Sequence, residues 1–391
     1  MSQPGIWITR LQHAASRPRL AVKDLFDTAG VRTTYGSAVF SDHVPDRTAT
    51  AVEILETAGW ASAGKTNLHE FAYGITSQNP HYGDVPNPRF GGRVAGGSSG
   101  GSAAALVTGE ADLGLGTDSG GSIRIPAACC EVVGFKPSHG LVPMGGCFPL
   151  APSFDHAGPL ALDVAGCAEA MAALTGLEPR DLESLDDLVI GVAWLGHAEP
   201  AVRERVAAAA GLMRRARTIE LPLPEGVFPA FQREIAEVHR DLFADRGDLY
   251  GANVRTKVGL AMEVSDAEAS TARAARERHR EVFDAALDGL DLAIAPTLPI
   301  PPPPVGVDEL EVRHRMTQLT FPLNAIGAPA LALPCGRTQD GMPVSLQLFA
   351  RPGDDALVLA AGALLEAALG HTARSREERK RREDHERHRQ P

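Results

Sequence analysis

Short apolar runs alternate along this chain with glycine, proline and small polar residues, and longer amphipathic stretches lie between them. The runs at 20–22, 61–63 and 111–117 read as buried strands, and the stretch at 49–58 between the first two reads as a helix. Residues 68–90, rich in Asn, Pro, Gly and aromatics, predict a long ordered loop. Further along, 189–194 predicts a strand, 201–216 a helix and 218–223 another strand. Helices are expected over 231–243 and 266–287, with a core strand at 291–296. The prolines at 299–304 hold an extended connection. The runs 329–336 and 343–350 read as paired core strands, closed by a helix over 354–369. This alternation predicts an α/β protein with a mixed sheet.

Composition narrows the class. The chain has 391 residues, 44% hydrophobic and 22% charged, enough to bury a large core. Its net charge of -11 disfavours nucleic acid as the main partner. The first twenty residues lack the apolar run of a signal peptide, and no apolar segment is long enough to span a bilayer, so a cytoplasmic protein with no membrane partner is expected. The five cysteines form no CxxC pair and read as reduced, buried thiols. The end of the chain, 372–391, mixes basic and acidic residues with almost no apolar face and is expected to lie outside the domain, frayed or disordered, which leaves 1–371 as one domain.

Candidate chemistry concentrates between Gly91 and Pro126, where Ser98 and Ser122 both sit among glycines. In TDSGGSIRIP a strand runs into Asp-Ser-Gly-Gly before a helix, so successive N–H groups converge on one space. If Ser122 Oγ is a nucleophile, the N–H groups of Ser119, Gly120, Gly121 and Ser122 are candidates for an oxyanion hole. The bland alternative for Ser122 is a helix N-cap. A serine needs a base. His139 and His156, the latter preceded by Asp155, suggest a Ser-His-Asp arrangement but sit in no telling motif. Lys65, in GKTN after a buried strand, is an alternative, because burial favours a neutral amine that can accept a proton, although a lone lysine is as readily a surface charge.

The ordered series GKTN, GGSSGGS and TDSGGSIRIPA, with VKDLFDTAG, GFKPSHGLVP, SFDHAGPLA, APTLPIPPP and FPLNAIGAPALALPCG around it, resembles the amidase signature family over almost the whole chain. The resemblance implies a single large domain whose central mixed sheet is flanked by helices on both faces. It also implies a Ser-cisSer-Lys triad, with Ser122 as nucleophile, Ser98 after a cis Gly97–Ser98 peptide as proton shuttle, and Lys65 as base. Ser99, Asp118 and Arg124 are expected to support these groups. The implied reaction is hydrolysis of a small carboxamide through an acyl-enzyme, with no metal or organic cofactor. A homodimer is one assembly the resemblance allows. Two other functions stay open at this point: the ammonia-generating, glutaminase-type subunit of a tRNA-dependent amidotransferase, and a non-catalytic anion-binding module. Phe71, Tyr73, Tyr82 and Phe154 are candidates for an apolar pocket wall or for core.

Overall fold

The computed structural model describes residues 3–12, 17–178 and 180–370; the expected C-terminal extension at 372–391 lies outside them. Eleven strands make one sheet. They are β1 (Trp7–Arg10), β2 (Arg19–Lys23), β3 (Ala61–Thr66), β4 (Leu113–Asp118), β5 (Val133–Lys136), β6 (His156–Ala161), β7 (Ile190–Val192), β8 (Ala216–Thr218), β9 (Leu292–Pro296), β10 (Ala330–Arg337) and β11 (Pro343–Phe349). The helices are α1 (Thr50–Thr57), α2 (Gly100–Val107), α3 (Arg124–Cys130), α4 (Val164–Thr175), α5 (Pro200–Ala210), α6 (Phe228–Arg246), α7 (Ala252–Met262), α8 (Asp266–Ala286), α9 (Glu309–Thr317), α10 (Phe321–Ile326) and α11 (Asp355–Ala368).

The strand order is β1-β3-β2-β4-β6-β5-β10-β11-β9-β7-β8. Strand β2 runs parallel to both β3 and β4, the middle of the sheet is antiparallel, and β9, β7 and β8 are parallel again. The mixed sheet expected from the sequence is therefore present. The predicted partners β10 and β11 pair antiparallel from Ala330 opposite Phe349 to Arg337 opposite Pro343.

Side-chain alternation decides what each strand presents to the two helical layers. In β2, Leu20 and Val22 join a core shared with α1, α4, α5 and α11, whereas Ala21 packs into the cluster of α2 and α3 on the opposite face. Lys23 follows Ala21 onto that second face.

Two predicted elements are shorter than the pattern suggested. The strand expected over 218–223 ends at Thr218, because Pro222 and Pro224 have no N–H to offer a neighbouring strand. The helix expected over 201–216 stops at Ala210 before Gly211, and the chain then turns to form β8. Strands β1, β5 and β6 and helices α4, α7, α9 and α10 were not separated by the pattern. Their segments are short or carry glycine and proline, so their apolar period is weak.

Helix α2 lies hard against β3. A Cβ at Gly101 would stand 2.3 Å from the Asn67 carbonyl oxygen and 2.7 Å from that of Ile6. Gly259, inside α7, faces open space. Gly101→Ala should therefore destabilise by about 1–3 kcal/mol through overpacking, even though alanine is the better helix former. Gly259→Ala should stabilise by about 0.5–1 kcal/mol, and urea denaturation of the two variants checks the opposite signs.

Candidate active site

Strand β4 ends at Asp118, and the chain turns through Ser119, Gly120, Gly121 and Ser122 before α3 begins at Arg124. The turn is built around one carboxylate. Asp118 accepts hydrogen bonds from the N–H groups of Gly121 (2.7 Å) and Ile123 (3.2 Å), from Arg124 Nε (3.0 Å) and Nη2 (3.1 Å), and from Asn324 Nδ2 (2.8 Å). Arg124 is fully buried and also donates to Gln347 Oε1, Asn324 Oδ1 and the Thr320 carbonyl. Burial alone would push the Asp118 carboxyl up, but the charge and hydrogen bonds of Arg124, helped by Lys136 and Asn324, hold it well below the usual carboxylate range. Asp118 and Arg124 thus brace the turn, tying α3 to α10 and β11.

Gly121 adopts φ +131°, and a Cβ there would meet Thr320 Oγ1 at 2.4 Å, so the turn needs glycine. Its N–H points at Asp118 rather than outward. Of the four N–H groups expected from the sequence to converge, that of Gly121 is committed to the turn, while Ser119, Gly120 and Ser122 line the adjoining cavity. Ser119 Oγ donates to Asp155 Oδ1 at 2.6 Å.

Ser98 precedes α2, and the Gly97–Ser98 peptide is cis, as the resemblance implied. Its carbonyl accepts from the His69 N–H and from Ser77 Oγ. The neighbouring Ser99 N–H donates to the Ser122 carbonyl at 3.2 Å, which joins the two serine loops. Ser99 Oγ donates to the Thr117 carbonyl, so Ser99 links its loop to β4.

The lysine at Ser98 is not the expected one. Lys23 Nζ lies 2.7 Å from Ser98 Oγ and 2.7 Å from Thr117 Oγ1, fully buried. Lys65 instead donates to the Phe26 carbonyl and to Thr33 Oγ1 (2.8 Å), and sits 3.5 Å from Asp24 Oδ1. The reason is strand register. Val22 pairs with Lys65, and Lys23 with Thr66, so Lys65 shares the face of Val22 while Lys23 shares the face of Thr66. Thr66 Oγ1 is 2.9 Å from Ser102 Oγ on α2, which marks that face as the one turned to Ser98. Lys65 therefore pins the loop after β2. The signal missed in the sequence was a second lysine at the end of a buried strand, Lys23 in VKD.

Desolvation lowers the Lys23 amine to about 7, against weaker pulls from Cys147, Asp118 and Asp155. Burial likewise lowers Lys65, but there Asp24 lies opposite and favours the ammonium.

Neither candidate histidine serves Ser122. His156 Nδ1 is 2.7 Å from the Phe154 carbonyl and 3.1 Å from that of Asp118, and His139 Nε2 is 3.1 Å from the Pro152 carbonyl. Asp155 is occupied by Ser119 and the N–H groups of Leu150 and Ala151.

Ser122 opens on a cavity of about 400 Å³. Its walls come from 72–75, the start of α6, α9 and α10, with Phe228, Phe231 and Phe321 supplying the aromatic surface. Of the four aromatics singled out in the sequence, Tyr73 lines this cavity. Phe71 and Phe154 are core, and Tyr82 hydrogen-bonds the Ser37 carbonyl. Among the described residues no cluster of His, Cys, Asp and Glu is arranged to hold a metal ion, and no helix is long and apolar enough to cross a membrane.

The profile of the Amidase family matches residues 19–244 and 195–359. The chain belongs to the amidase family. This amidase is 36% identical over 400 residues to a Glutamyl-tRNA(Gln) amidotransferase subunit of Haloarcula marismortui, covering 88% of this chain and 94% of that protein. It is 37% identical over 379 residues to AtzE, a 1-carboxybiuret hydrolase subunit of Pseudomonas sp., covering 88% and 82%. A crystal structure of an amidase superposes with a TM-score of 0.83 at 37% identity, covering 90% of this chain and 84% of the other. The corresponding Glutamyl-tRNA(Gln) amidotransferase subunit from Thermotoga maritima superposes with a TM-score of 0.79 at 27% identity, covering 92% and 86%. The single mixed-sheet domain is thus the fold of solved members of the amidase family, whose enzymes hydrolyse amides.

Removing Arg124 from the amidase leaves the Asp118 carboxylate buried without its cation. Arg124→Met should cost about 3–5 kcal/mol at pH 7, read from denaturant midpoints. Because the depressed Asp118 ionisation stabilises the native state above the ordinary value of 3.8, the gap between wild type and variant should narrow as pH falls below that value.

Proposed function

We propose that the protein hydrolyses a carboxamide through an acyl-enzyme on Ser122, with Ser98 relaying protons to Lys23. The observation that carries this reading is the buried Lys23 amine at 2.7 Å from Ser98 Oγ, in a loop hydrogen-bonded to that of Ser122, which opens on the cavity. A serine hydroxyl is a weak nucleophile until its proton is taken. Neutral Lys23 accepts the proton of Ser98, and Ser98 in turn takes the proton of Ser122 as Ser122 Oγ attacks the amide carbonyl carbon.

Negative charge then develops on the carbonyl oxygen. The backbone of Ser119, Gly120 and Ser122 borders the same cavity, and its N–H groups are our candidates for holding that oxygen. As the C–N bond breaks, Lys23 returns its proton through Ser98 to the leaving nitrogen. Water then attacks the ester carbonyl, gives its proton to the same relay, and releases the acid with Ser122 restored. Asp118 and Arg124 act as positioning residues for the turn. The relay is made from this chain's own side chains.

A second reading, the ammonia-producing, glutaminase-type subunit of a tRNA-dependent amidotransferase, is favoured by the names of several relatives. It predicts glutaminase activity that depends on a second protein, and co-expression followed by co-purification separates it from a free-standing amidase.

Ser122→Ala should abolish amide turnover with little change in thermal midpoint. Lys23→Met should lower kcat by a factor on the order of 10² to 10⁴, the usual range for general-base loss. Lys65→Met should act mainly through stability; full turnover in Lys23→Met with turnover lost in a folded Lys65→Met would reverse the assignment of the base. Since neutral Lys23 is the active form and its ionisation is lowered to about 7, kcat/KM should rise with pH through neutrality and fall on the acid side.

A further inference from the structure

We infer that the cavity in front of Ser122 selects amides bearing a second, anionic group, and that Arg313 reads that group. The inference rests on the reading of Ser122 as the site of amide hydrolysis and extends it to the class of substrate.

The lining of this cavity contains no aspartate or glutamate among the described residues. Among the same residues Arg313, on α9, is the one lysine or arginine. An isolated cation on a largely apolar wall is costly unless something compensates it. Its guanidinium carbon lies 4.8 Å from the centre of the Tyr73 ring and 5.3 Å from that of Phe228, so two aromatic faces hold it in place. Its ion-pair contact is long: Arg313 Nε is 3.9 Å from Glu309 Oε1.

Glu309 is already engaged by another cation. Its other carboxylate oxygen is 3.0 Å from Lys257 Nζ, which is itself buried and also donates to the Tyr73 carbonyl. Burial opposes charge on Glu309, and Lys257, with help from His69 and Arg313, holds the carboxyl down at about 2. Desolvation lowers Lys257 only to about 8, so it remains mainly an ammonium at neutral pH, while burial lowers His69 to about 3 and leaves it uncharged. Two cations therefore face one carboxylate. The nearby acid Glu70 is taken up by Ser37 Oγ, the Gly251 N–H and His81. One positive charge is left over, and it belongs to the group that reaches the cavity.

A second observation points the same way. The Tyr73 hydroxyl is buried in a residue that lines the cavity, its oxygen faces the Arg313 guanidinium, and no acceptor takes its own proton. Burial pushes its ionisation up, against a weaker pull from Arg313, so it stays a protonated donor. A buried O–H without an acceptor costs free energy that a ligand oxygen would offset. Arg313 and Tyr73 together offer a charged fork and a hydroxyl donor beside an aromatic wall, the pair of groups that suits a carboxylate. The favoured substrate is thus an amide whose far end carries a carboxylate, the apolar wall covering the carbons between.

Binding can be measured without turnover in full-length Ser122→Ala protein. Calorimetric titration with the monoamides of succinic, glutaric and adipic acids, each beside its methyl ester, should show at least one acid binding tenfold or more tighter than its ester. Arg313→Gln in the same background should remove most of that preference, and Arg313→Lys should restore part of it. Equal binding of every acid and ester, binding of neither, or a preference that survives Arg313→Gln would overturn the inference. The comparison of acid with ester in protein that retains Arg313 does not depend on whether the Arg313 variants fold. Loss of hydrolysis in the wild type alongside an Arg313-dependent acid preference would overturn the acyl-enzyme reading and leave this one standing.

Discussion

An ammonium group loses far more hydration on burial than an amine, and the region around Ser98 is arranged around where that loss is compensated and where it is not. Lys23 and Lys65 stand on adjacent parallel strands, both buried, one residue out of step in register. Lys65 faces a carboxylate, Asp24, at 3.5 Å. Lys23 faces two hydroxyls and no carboxylate at bonding distance. The two-residue period of a strand sends Asp24 to the opposite face from its neighbour Lys23, so the same short segment withholds a counter-ion from one lysine and supplies it to the other. The Lys23 amine near neutrality follows from that geometry and from no special group.

The turn that carries Ser122 depends on the opposite solution. Asp118 and Arg124 are both buried, but each is met by several partners, so the pair holds its charges without loss of order. Through Thr320, Asn324 and Gln347 this pair fastens the turn to α10 and β11. Phe321 and Pro322, which line the cavity, belong to the same α10. The positions of the Ser122 turn and of one cavity wall are therefore set by a single network.

Much of this was legible in the chain. Buried strands with strong apolar runs, such as 20–22, 291–296 and 343–350, fell where the residues indicated, and the glycine-flanked serines marked the site. Which lysine lies at Ser98 was not readable because register is a long-range property. Both VKD and GKTN put a lysine at the end of a strand, and only the pairing of β2 with β3 decides which one turns toward Ser98. The commitment of Gly121 to Asp118 was equally hidden, since a run of glycines says that N–H groups are free to converge but not which one a side chain will claim. The cavity wall was the least readable part. Tyr73 was among the residues singled out, but Arg313 sits on a helix whose charged sequence, ELEVRHRMT, reads as a solvated face until α6 and α10 close around it.

The groups proposed for bond-making come from 23 to 122, whereas most of the cavity wall comes from 223 to 231 and 310 to 322. Because Thr320, which leads into α10, is tied to the turn, it is on α6 and α9 that heritable change can fall without disturbing the first set. A lineage carrying this fold is free to trade one small molecule for another by drift in α6 and α9, with the reaction inherited intact throughout.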